Sequence, residues 1–548
     1  MESLRTTRPP MTRTTYDVVV IGGGINGIAI ARECARAGQS TLLLEQHDFA
    51  SGTTSRSTRI IHGGLRYLEH GELGLVRESL RERNRLLCER PHLVRPTRFV
   101  LALPRKHSLF SLRGALAVRA GLALYSWIAP ETCPTPAASL DRAFDLGTEF
   151  AVFDYEDAQC EFPERLAAEW LVEALHYGAV ARNYTRVLAI RPGAERRVLR
   201  VRDELSGVES TIEAGKIVNA TGPWVDRVCS AALLGDAKLV EGVRGSHILI
   251  DRFTGAPENP VYTEAADGRP FFVVPWNGQL MIGPTEVRHE EDPSRARASA
   301  DEIDYLIAGF NRLFPQHAIN TGDVRGTFSG VRPLPNTGKH DHYGDVTRRS
   351  FIHDHGADGF PGLYSIIGGK LTTAASLARQ CAHVLGLQPA DSPLPQVALG
   401  PASGFDNTLA HWSHQIANQY RITPAAARAT AAWHGRCALS VLRPALSDSA
   451  LAQPITDGSD HLLAEAVHAV HWECAVTLAD ILLRRVPIAL TTHWSEEQSA
   501  EAADRIGRTL GWTERRTAEE LESFVAERNW LIGGGRGSRA PFPAEYAA

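Results

Sequence analysis

Lysine is scarce in this 548-residue chain. Only Lys106, Lys216, Lys238, Lys339 and Lys370 occur, so 53 of the 58 basic residues are arginine. A lysine retained against that background is a candidate for chemistry that a guanidinium does not perform. The eight cysteines, at 34, 88, 133, 160, 229, 381, 437 and 474, include no C-x-x-C pair. Such spacing offers neither a zinc ribbon nor a disulfide framework, so reduced thiols and a cytoplasmic setting are expected. No run of about 18 uninterrupted apolar residues exists, which argues against a membrane-spanning helix. Residues 1–15 are polar and carry Arg5, Arg8 and Arg13 without an apolar core. They are not a secretory signal and read as a disordered lead-in, with Met11 as an alternative start. The net charge of −5 gives no global reason to expect nucleic acid as a partner.

Apolar and charged residues make up an ordinary 43% and 22% of the chain, whose length suits two or three domains. Its organising stretch is residues 16–45, YDVVVIGGGINGIAIARECARAGQSTLLLE. A Val-rich run predicts a buried parallel strand, and Gly22, Gly24 and Gly27 follow it as G-x-G-x-x-G. A helical pattern then runs to Gly38, and residues 41–44 form a second apolar strand ending on Glu45. Gly22 permits the tight turn, Gly24 lets a pyrophosphate approach the backbone, and Gly27 brings helix and strand together. The helix N-terminus offers free N–H groups to the phosphates, and Glu45, 18 residues beyond Gly27, suits a ribose diol. Strand, glycines, helix, strand and acid in that order point to dinucleotide binding. They do not separate FAD from NAD.

Residues 49–72 are rich in Ser, Thr and Gly and then become basic and aromatic, as a loop wrapping a cofactor and touching substrate would be. A helix is predicted over 72–90 and a strand over 99–103. Residues 105–130 are the most apolar long stretch. They read either as a buried helix or as an interfacial membrane segment with Arg105, Lys106, Arg113 and Arg119 at head groups and Phe110, Leu116, Trp127 and Ile128 inserted. Strands follow near 150–154, 180–190, 197–203 and 216–222, with a helix over 163–177. Residues 243–287 alternate as a sheet of their own, and 301–314 return to helix. Residues 362–373 give a strand, a Gly-Gly turn and a helix start. A Pro-rich linker at 387–400 precedes helical patterns at 424–433, 462–485, 496–511 and 514–527. His468 and His471 lie three apart on one predicted helix, but no third ligand is evident and no metal is assigned.

Six stretches together resemble the FAD-dependent, respiratory glycerol-3-phosphate dehydrogenase family: VIGGGINGIAIA (20–31), IIHGGLRYLEHGE (60–72), VNATGPWVD (218–226), RGSHILI (244–250), FSGVRPL (328–334) and IGGKLTT (367–373). The resemblance implies an α/β fold of the glutathione-reductase FAD-binding type, an interleaved β-rich substrate domain and a small helical C-terminal domain. The FAD-binding domain would take 16–85, 150–230 and 322–386, and the substrate domain 86–149 and 231–321. The helical domain would take 401–530, with a disordered tail at 531–548. It also implies oxidation of sn-glycerol 3-phosphate to dihydroxyacetone phosphate by hydride transfer to flavin N5. Electrons would pass to membrane quinone, from a protein peripheral on the inner face of the cytoplasmic membrane and possibly homodimeric. Two departures stand out. Ser57-Thr58-Arg59 replaces the family's Ser-Ser-Lys, and Gly283-Pro284-Thr285-Glu286 replaces Gly-Thr-Thr-Asp.

On this reading, cofactor contacts fall on Gly22, Gly24, Asn26, Gly27, Glu45, Thr54, Ser57, His62, Gly63, Gly64, Thr221, Gly222, Gly369, Leu371 and Thr372. Arg66 and Arg332 clamp phosphate or substrate oxygen, since a guanidinium binds phosphate in a bidentate fork. Tyr67 and Thr285 are further substrate contacts. His247 is favoured as the base, because an imidazole suits proton acceptance near neutral pH. Lys370, placed at a predicted helix start, supplies electrostatic stabilisation and is a second option for the base. The competing functions are a glycerol-3-phosphate oxidase using O2, an amine or amino-acid oxidase, and a flavin-bound adaptor.

Overall fold

The computed structural model describes residues 13–65, 71–104, 115–128, 146, 149–193, 195–235, 238–336, 338, 349–388 and 404–533. Arg66, Tyr67, most of the lead-in, most of the linker and the tail lie outside the described residues.

Two sheets carry the chain. In the first, strand Thr15–Ile21 pairs in parallel with Thr41–Leu44 on one side and Glu209–Asn219 on the other. Leu363–Ile367 extends it in parallel beyond Glu209–Asn219. Val18–Ile21 is a continuous apolar run because both faces of this part of the sheet are covered, one by helices and the other by the strands Thr185–Arg191 and Arg197–Asp203. Val18 and Val20 pack with Ile28 and Ala31 of helix Ile25–Arg36 and with Leu377 of helix Ala374–Val384, while Val19 and Ile21 join Ile190, Leu199 and Leu363. Because the strands are parallel, their C-terminal ends share one edge. Gly22–Gly24, Glu45, Thr221–Gly222 and Gly368–Gly369 all emerge there, as ligand-binding loops do in open α/β sheets.

The second sheet centres on strand Val240–Asp251, which pairs antiparallel with Gln279–Gly283 and, over its whole length, with Val324–Pro335. Pro270–Trp276, Val261–Glu264, Val94–Pro104, Phe150–Cys160 and Ile60–Ile61 continue the sheet. Three of these strands depart from the expected domain division. Ile60–Ile61, Phe150–Cys160 and Val324–Pro335 were placed with the cofactor domain, yet all pair within the second sheet. Only 150–154 carries a strand pattern in the sequence; Ile60–Ile61 falls in the stretch expected as a loop, and Val324–Pro335 was not expected as a strand. Helix Ala300–Leu313, opened by a Ser299–Glu302 capping box, buries Ile303, Leu306 and Phe310 against Ile248, Ile250 and Val273.

The C-terminal helices have a core of their own around Leu409, Ile416, Ala427 and Leu442. A second cluster joins Leu478, Leu482 and Ile506 to Phe99, Leu249, Val274 and Met281 of the second sheet. The helix expected over 462–485 is broken. Leu463–Trp472 ends before Cys474, whose φ is 58°, and Thr477 caps a new start by accepting from the Asp480 N–H. A π-helical turn follows at Ile481–Arg485. The expectation of reduced thiols also fails at one position: Cys88 is disulfide-bonded, while the other six described cysteines are free. Scattered spacing carries no pairing signal.

Within 105–130, helix Ala115–Ile128 is described. It buries Tyr125 and lays Val118 and Leu122 on Leu101 and Leu103, yet leaves Trp127 81% exposed. It is docked on one side and bare on the other. No helix among the described residues is long and apolar enough to cross a membrane.

Candidate functional site

A cavity of about 830 Å³ lies along the C-terminal edge of the first sheet and runs to the second. Its lining includes Gly22, Gly24, Asn26, Glu45, Thr54, Ser57, His62, Gly64, Thr221, Gly222, His247, Arg332, Gly369, Lys370, Leu371 and Thr372. Stretches hundreds of residues apart in sequence thus meet on one surface.

The glycine turn is built as its sequence requires. Gly22 has a φ of 104°, and a Cβ there would stand 2.7 Å from the Ala220 carbonyl oxygen. A Cβ on Gly27 would lie 1.8 Å from the Gly22 carbonyl oxygen, so no side chain fits between helix and strand. Gly27 packs there and does not line the cavity. The Glu45 carboxylate accepts from Gly23 N–H at 2.6 Å and His47 N–H at 2.9 Å, tying the turn to the second strand. Burial raises its pKa and these bonds oppose that rise. Thr54 Oγ1 accepts from Ile25 N–H at 3.0 Å. Asn26, one position on, keeps a buried Oδ1 with no hydrogen-bond partner.

At the other end His247 is 2% exposed and stacks on Phe328 with ring centres 4.8 Å apart. Its Nε2 meets Thr58 Oγ1 at 3.0 Å, and its Nδ1 has no partner. Burial first, then the Arg332 and Arg59 charges, push its pKa down to about 3, so the ring is neutral at physiological pH. His62 is pushed down to about 4 by burial and by Lys370. Arg332 stands opposite Val243 in the strand register, 3.6 Å from Glu286. Its guanidinium lies across Gly245, where a Cβ would come within 2.7 Å of it. Tyr262 and Phe272, stacked 4.7 Å apart, form an aromatic part of the wall.

Several assignments need correction. Thr285 does not line the cavity, although Pro284 and Glu286 do. Its hydroxyl donates to Glu302 at 2.6 Å and accepts from Ser246 N–H at 2.9 Å, inside the packing between sheet and helix. Gly63 is also outside the lining; its N–H donates to Tyr125 Oη at 2.8 Å and Asp157 at 3.2 Å. Lys370 is not at a helix start. The helix begins at Ala374, and Lys370 sits on the turn after Gly368 and Gly369, whose φ values are 78° and 110°. The dipole, which fades within a turn, therefore has less hold on it. Arg59 reaches the cavity wall, but its guanidinium pairs bidentately with Glu164 at 2.9 Å and lies over Trp276. Thr58, Gly245, Tyr262 and Phe272 escaped the sequence reading. Of these only Gly245 left a signal, as a glycine inside a strand pattern.

The donor set fits a dinucleotide cofactor. It combines a glycine turn closed to side chains, a helix N-terminus beside it, an acid at the end of the second strand and an unsatisfied Asn26 oxygen.

Comparison with known proteins bears on which one. Residues 17–375 match the family model described as FAD dependent oxidoreductase. Residues 398–517 match the C-terminal domain of alpha-glycerophosphate oxidase. A glycerol-3-phosphate dehydrogenase of Synechocystis is 37% identical over 94% of this chain and 97% of its own. Glycerol-3-phosphate dehydrogenase 2 of Mycobacterium tuberculosis is 31% identical over 93% and 88%. D-erythritol 1-phosphate dehydrogenase of Brucella abortus is 36% identical over 72% and 80%. Among solved structures, the glycerol-3-phosphate dehydrogenase of Bacillus halodurans complexed with FAD superposes with a TM-score of 0.72 at 25% identity, covering 95% of this chain and 96% of that one.

Proposed function

This chain belongs to the FAD-dependent oxidoreductases, in the glycerol-3-phosphate dehydrogenase family, and from that premise we propose that it oxidises sn-glycerol 3-phosphate to dihydroxyacetone phosphate. The single observation that carries the reading is the meeting of Arg332, Lys370, His62 and His247 on the same cavity as the glycine turn.

Gly22, Gly24, Asn26 and Glu45 would hold the ADP half of FAD, and the 54–64, 221–222 and 369–372 segments its remainder. When bound, FAD supplies the hydride acceptor. Arg332 and Lys370 bind the phosphate dianion, Arg332 as a fork and Lys370 as a point charge. Arg66 and Tyr67 remain candidate contacts on sequence grounds. His247 takes the hydroxyl proton of the substrate. Thr58 fixes its ring by the hydrogen bond to Nε2. The ring's low proton affinity comes partly from the Arg332 charge. A phosphate dianion that neutralises Arg332 raises that affinity when substrate arrives. The base is thus weak in the empty site and stronger in the complex.

Electron delivery to a quinone at the inner face of the cytoplasmic membrane is supported by the exposed Trp127 and Leu124 on a helix otherwise docked onto the second sheet. The second reading, a longer polyol phosphate, is favoured by the Brucella relative's substrate.

The test is anaerobic addition of glycerol 3-phosphate to the purified flavoprotein while flavin absorbance is followed. Bleaching supports the proposal, and none with this substrate sinks it. Faster bleaching with erythritol 1-phosphate would favour the longer substrate. Re-oxidation by a short-chain quinone rather than by air marks the dehydrogenase, and the reverse marks an oxidase. Flotation with anionic liposomes, lost on Trp127→Glu, tests the membrane arm.

A further inference from the structure

Away from the cavity, the edge hairpin of the first sheet gathers a second set of chemically active side chains. Strand Phe351–Asp354 turns through residues 355–362 into Leu363–Ile367, pairing antiparallel with His353 opposite Ser365. The His353 Nε2 and the His355 Nδ1 each approach the same oxygen, Asp358 Oδ2, at 2.7 Å. The two rings stand edge to face, 4.5 Å apart. The turn is fixed by backbone bonds: the Asp358 and Phe360 N–H groups donate to the His355 carbonyl at 3.0 and 2.9 Å, and the His355 N–H donates to the Leu363 carbonyl at 3.0 Å.

We propose that His353, His355 and Asp358 form a binding site for one borderline divalent transition ion, of the zinc, cobalt or nickel class. Two imidazoles and one carboxylate suit such an ion and not magnesium or calcium, which ask for oxygen ligands. The three donor atoms lie within 4.8 Å of one another. An ion with bonds of about 2.0–2.2 Å needs them somewhat farther apart than the 2.7 Å contacts, and the half-exposed Asp358 side chain supplies that movement by rotating.

The surrounding shell has the form that metal histidines require. A ligating imidazole presents one nitrogen to the ion and donates from the other. The other nitrogen of His355, Nε2, faces the buried Ser365 Oγ at 2.8 Å. Ser365 Oγ also accepts from Asn219 Nδ2 at 3.1 Å and has Cys229 Sγ at 3.6 Å as an acceptor for its own proton. With Nε2 protonated, every group in this chain is satisfied and the Nδ1 lone pair points toward His353 and Asp358. His355 is buried, whereas His353 and Asp358 are 35% and 41% exposed. The site is anchored on one side and open on the other, where the ion enters and water completes its coordination. The other close grouping among the described residues, His434, His468 and Glu473, is less suited, because Arg165 already pairs with Glu473 at 2.9 Å.

The experiment is calorimetric titration of the flavin-loaded full chain with zinc alone at neutral pH. One ion per chain is expected. His353→Ala and Asp358→Asn, both at half-exposed positions, are each expected to weaken binding at least tenfold, and Ser365→Ala about tenfold through the outer shell. Circular dichroism and flavin content of the variants establish that they fold. Absence of a saturable zinc site, or folded His353 and Asp358 variants that titrate as the unaltered chain does, would overturn the proposal.

Discussion

Arg485→Met tests how the C-terminal domain supports the cofactor site. Asp48 lies on the loop after Glu45 and is 1% exposed. Arg485 donates to both of its oxygens at 2.7 Å, Asn183 donates at 2.9 Å, and Arg484 adds a further bond. Burial by itself would raise the Asp48 pKa, yet Arg485 and Arg484 outweigh it and hold the carboxyl below the usual range. Burial first, and then repulsion from nearby Asp48, raise the Asp480 pKa. Removing Arg485 therefore leaves Asp48 and Asp480 facing each other with Arg484 as their shared cation. Breaking one partner out of such a buried set costs about 3–5 kcal/mol. The same loop carries Glu45, Gln46, His47 and Ala50 along the cavity wall, and the Ala50 N–H donates to Gly23 at 2.9 Å. Loosening it should weaken FAD binding at least about tenfold, or about 1.4 kcal/mol. Denaturant midpoints and flavin release measure both effects. The double variant Asp48→Asn, Arg485→Met should regain most of the loss, because the unpaired charge goes with Asp48. If the two single losses simply add, or if Arg485→Met keeps flavin and midpoint unchanged, the electrostatic reasoning is wrong.

Gly27→Ala should abolish flavin binding, since its Cβ has no room beside the Gly22 carbonyl; a soluble, flavin-loaded variant would contradict the packing account. Arg332→Ala and Lys370→Ala should keep flavin yet slow turnover with glycerol 3-phosphate by about thirtyfold or more, the order expected when charge-assisted phosphate contacts worth about 2–3 kcal/mol are lost. Steady-state kinetics at matched flavin content decide it, and normal kinetics in both would refute the assignment. His247 has its folded pKa lowered to about 3 against about 6.5 unfolded, so unfolding takes up a proton between those values. Its share of stability is present above pH 6.5 and falls with acid, by about 1.4 kcal/mol at pH 5.5. His247→Gln should flatten the fall in denaturant midpoint between pH 8 and 5.5, and an unchanged slope would count against the buried neutral ring.

What could be read from sequence was what one stretch supplies by itself. Residues 16–45 hold strand, turn, helix, strand and acid in a row, and all five stand in the structure. What depends on a distant partner was not legible. Thr58 holds a histidine 189 positions away, and no local pattern announces it. Residues 150–154 are evident as a strand, but their sheet is chosen by the strands they meet, and Val324–Pro335 becomes a strand through its pairing with Val240–Asp251. Thr285 was misplaced because its hydroxyl is taken by Glu302 and the Ser246 N–H, partners 17 and 39 positions away. The continuous apolar period of 462–485 likewise conceals a break set by Thr477 capping a new helix and by Glu473 pairing with Arg165.

The strand Val324–Pro335 explains why a helical domain so far along the chain matters to the site. At one end its Gly326 lies against Ile532, where a Cβ would come within 2.8 Å of the Ile532 carbonyl oxygen, and Thr327 donates to the Gly533 carbonyl at 3.3 Å. At the other end residues 330–335 line the cavity and present Arg332. Between them Phe328 stacks on His247 and belongs to the same apolar cluster as Leu478, Leu482 and Phe524. The last helix and Arg332, the proposed phosphate ligand, are thus attached to one rigid strand. Asp48 provides the second attachment, beside Glu45 and the glycine turn. A domain fixed at both ends of the cavity sets the distance between cofactor loop and substrate groups, and hydride transfer is sensitive to that distance.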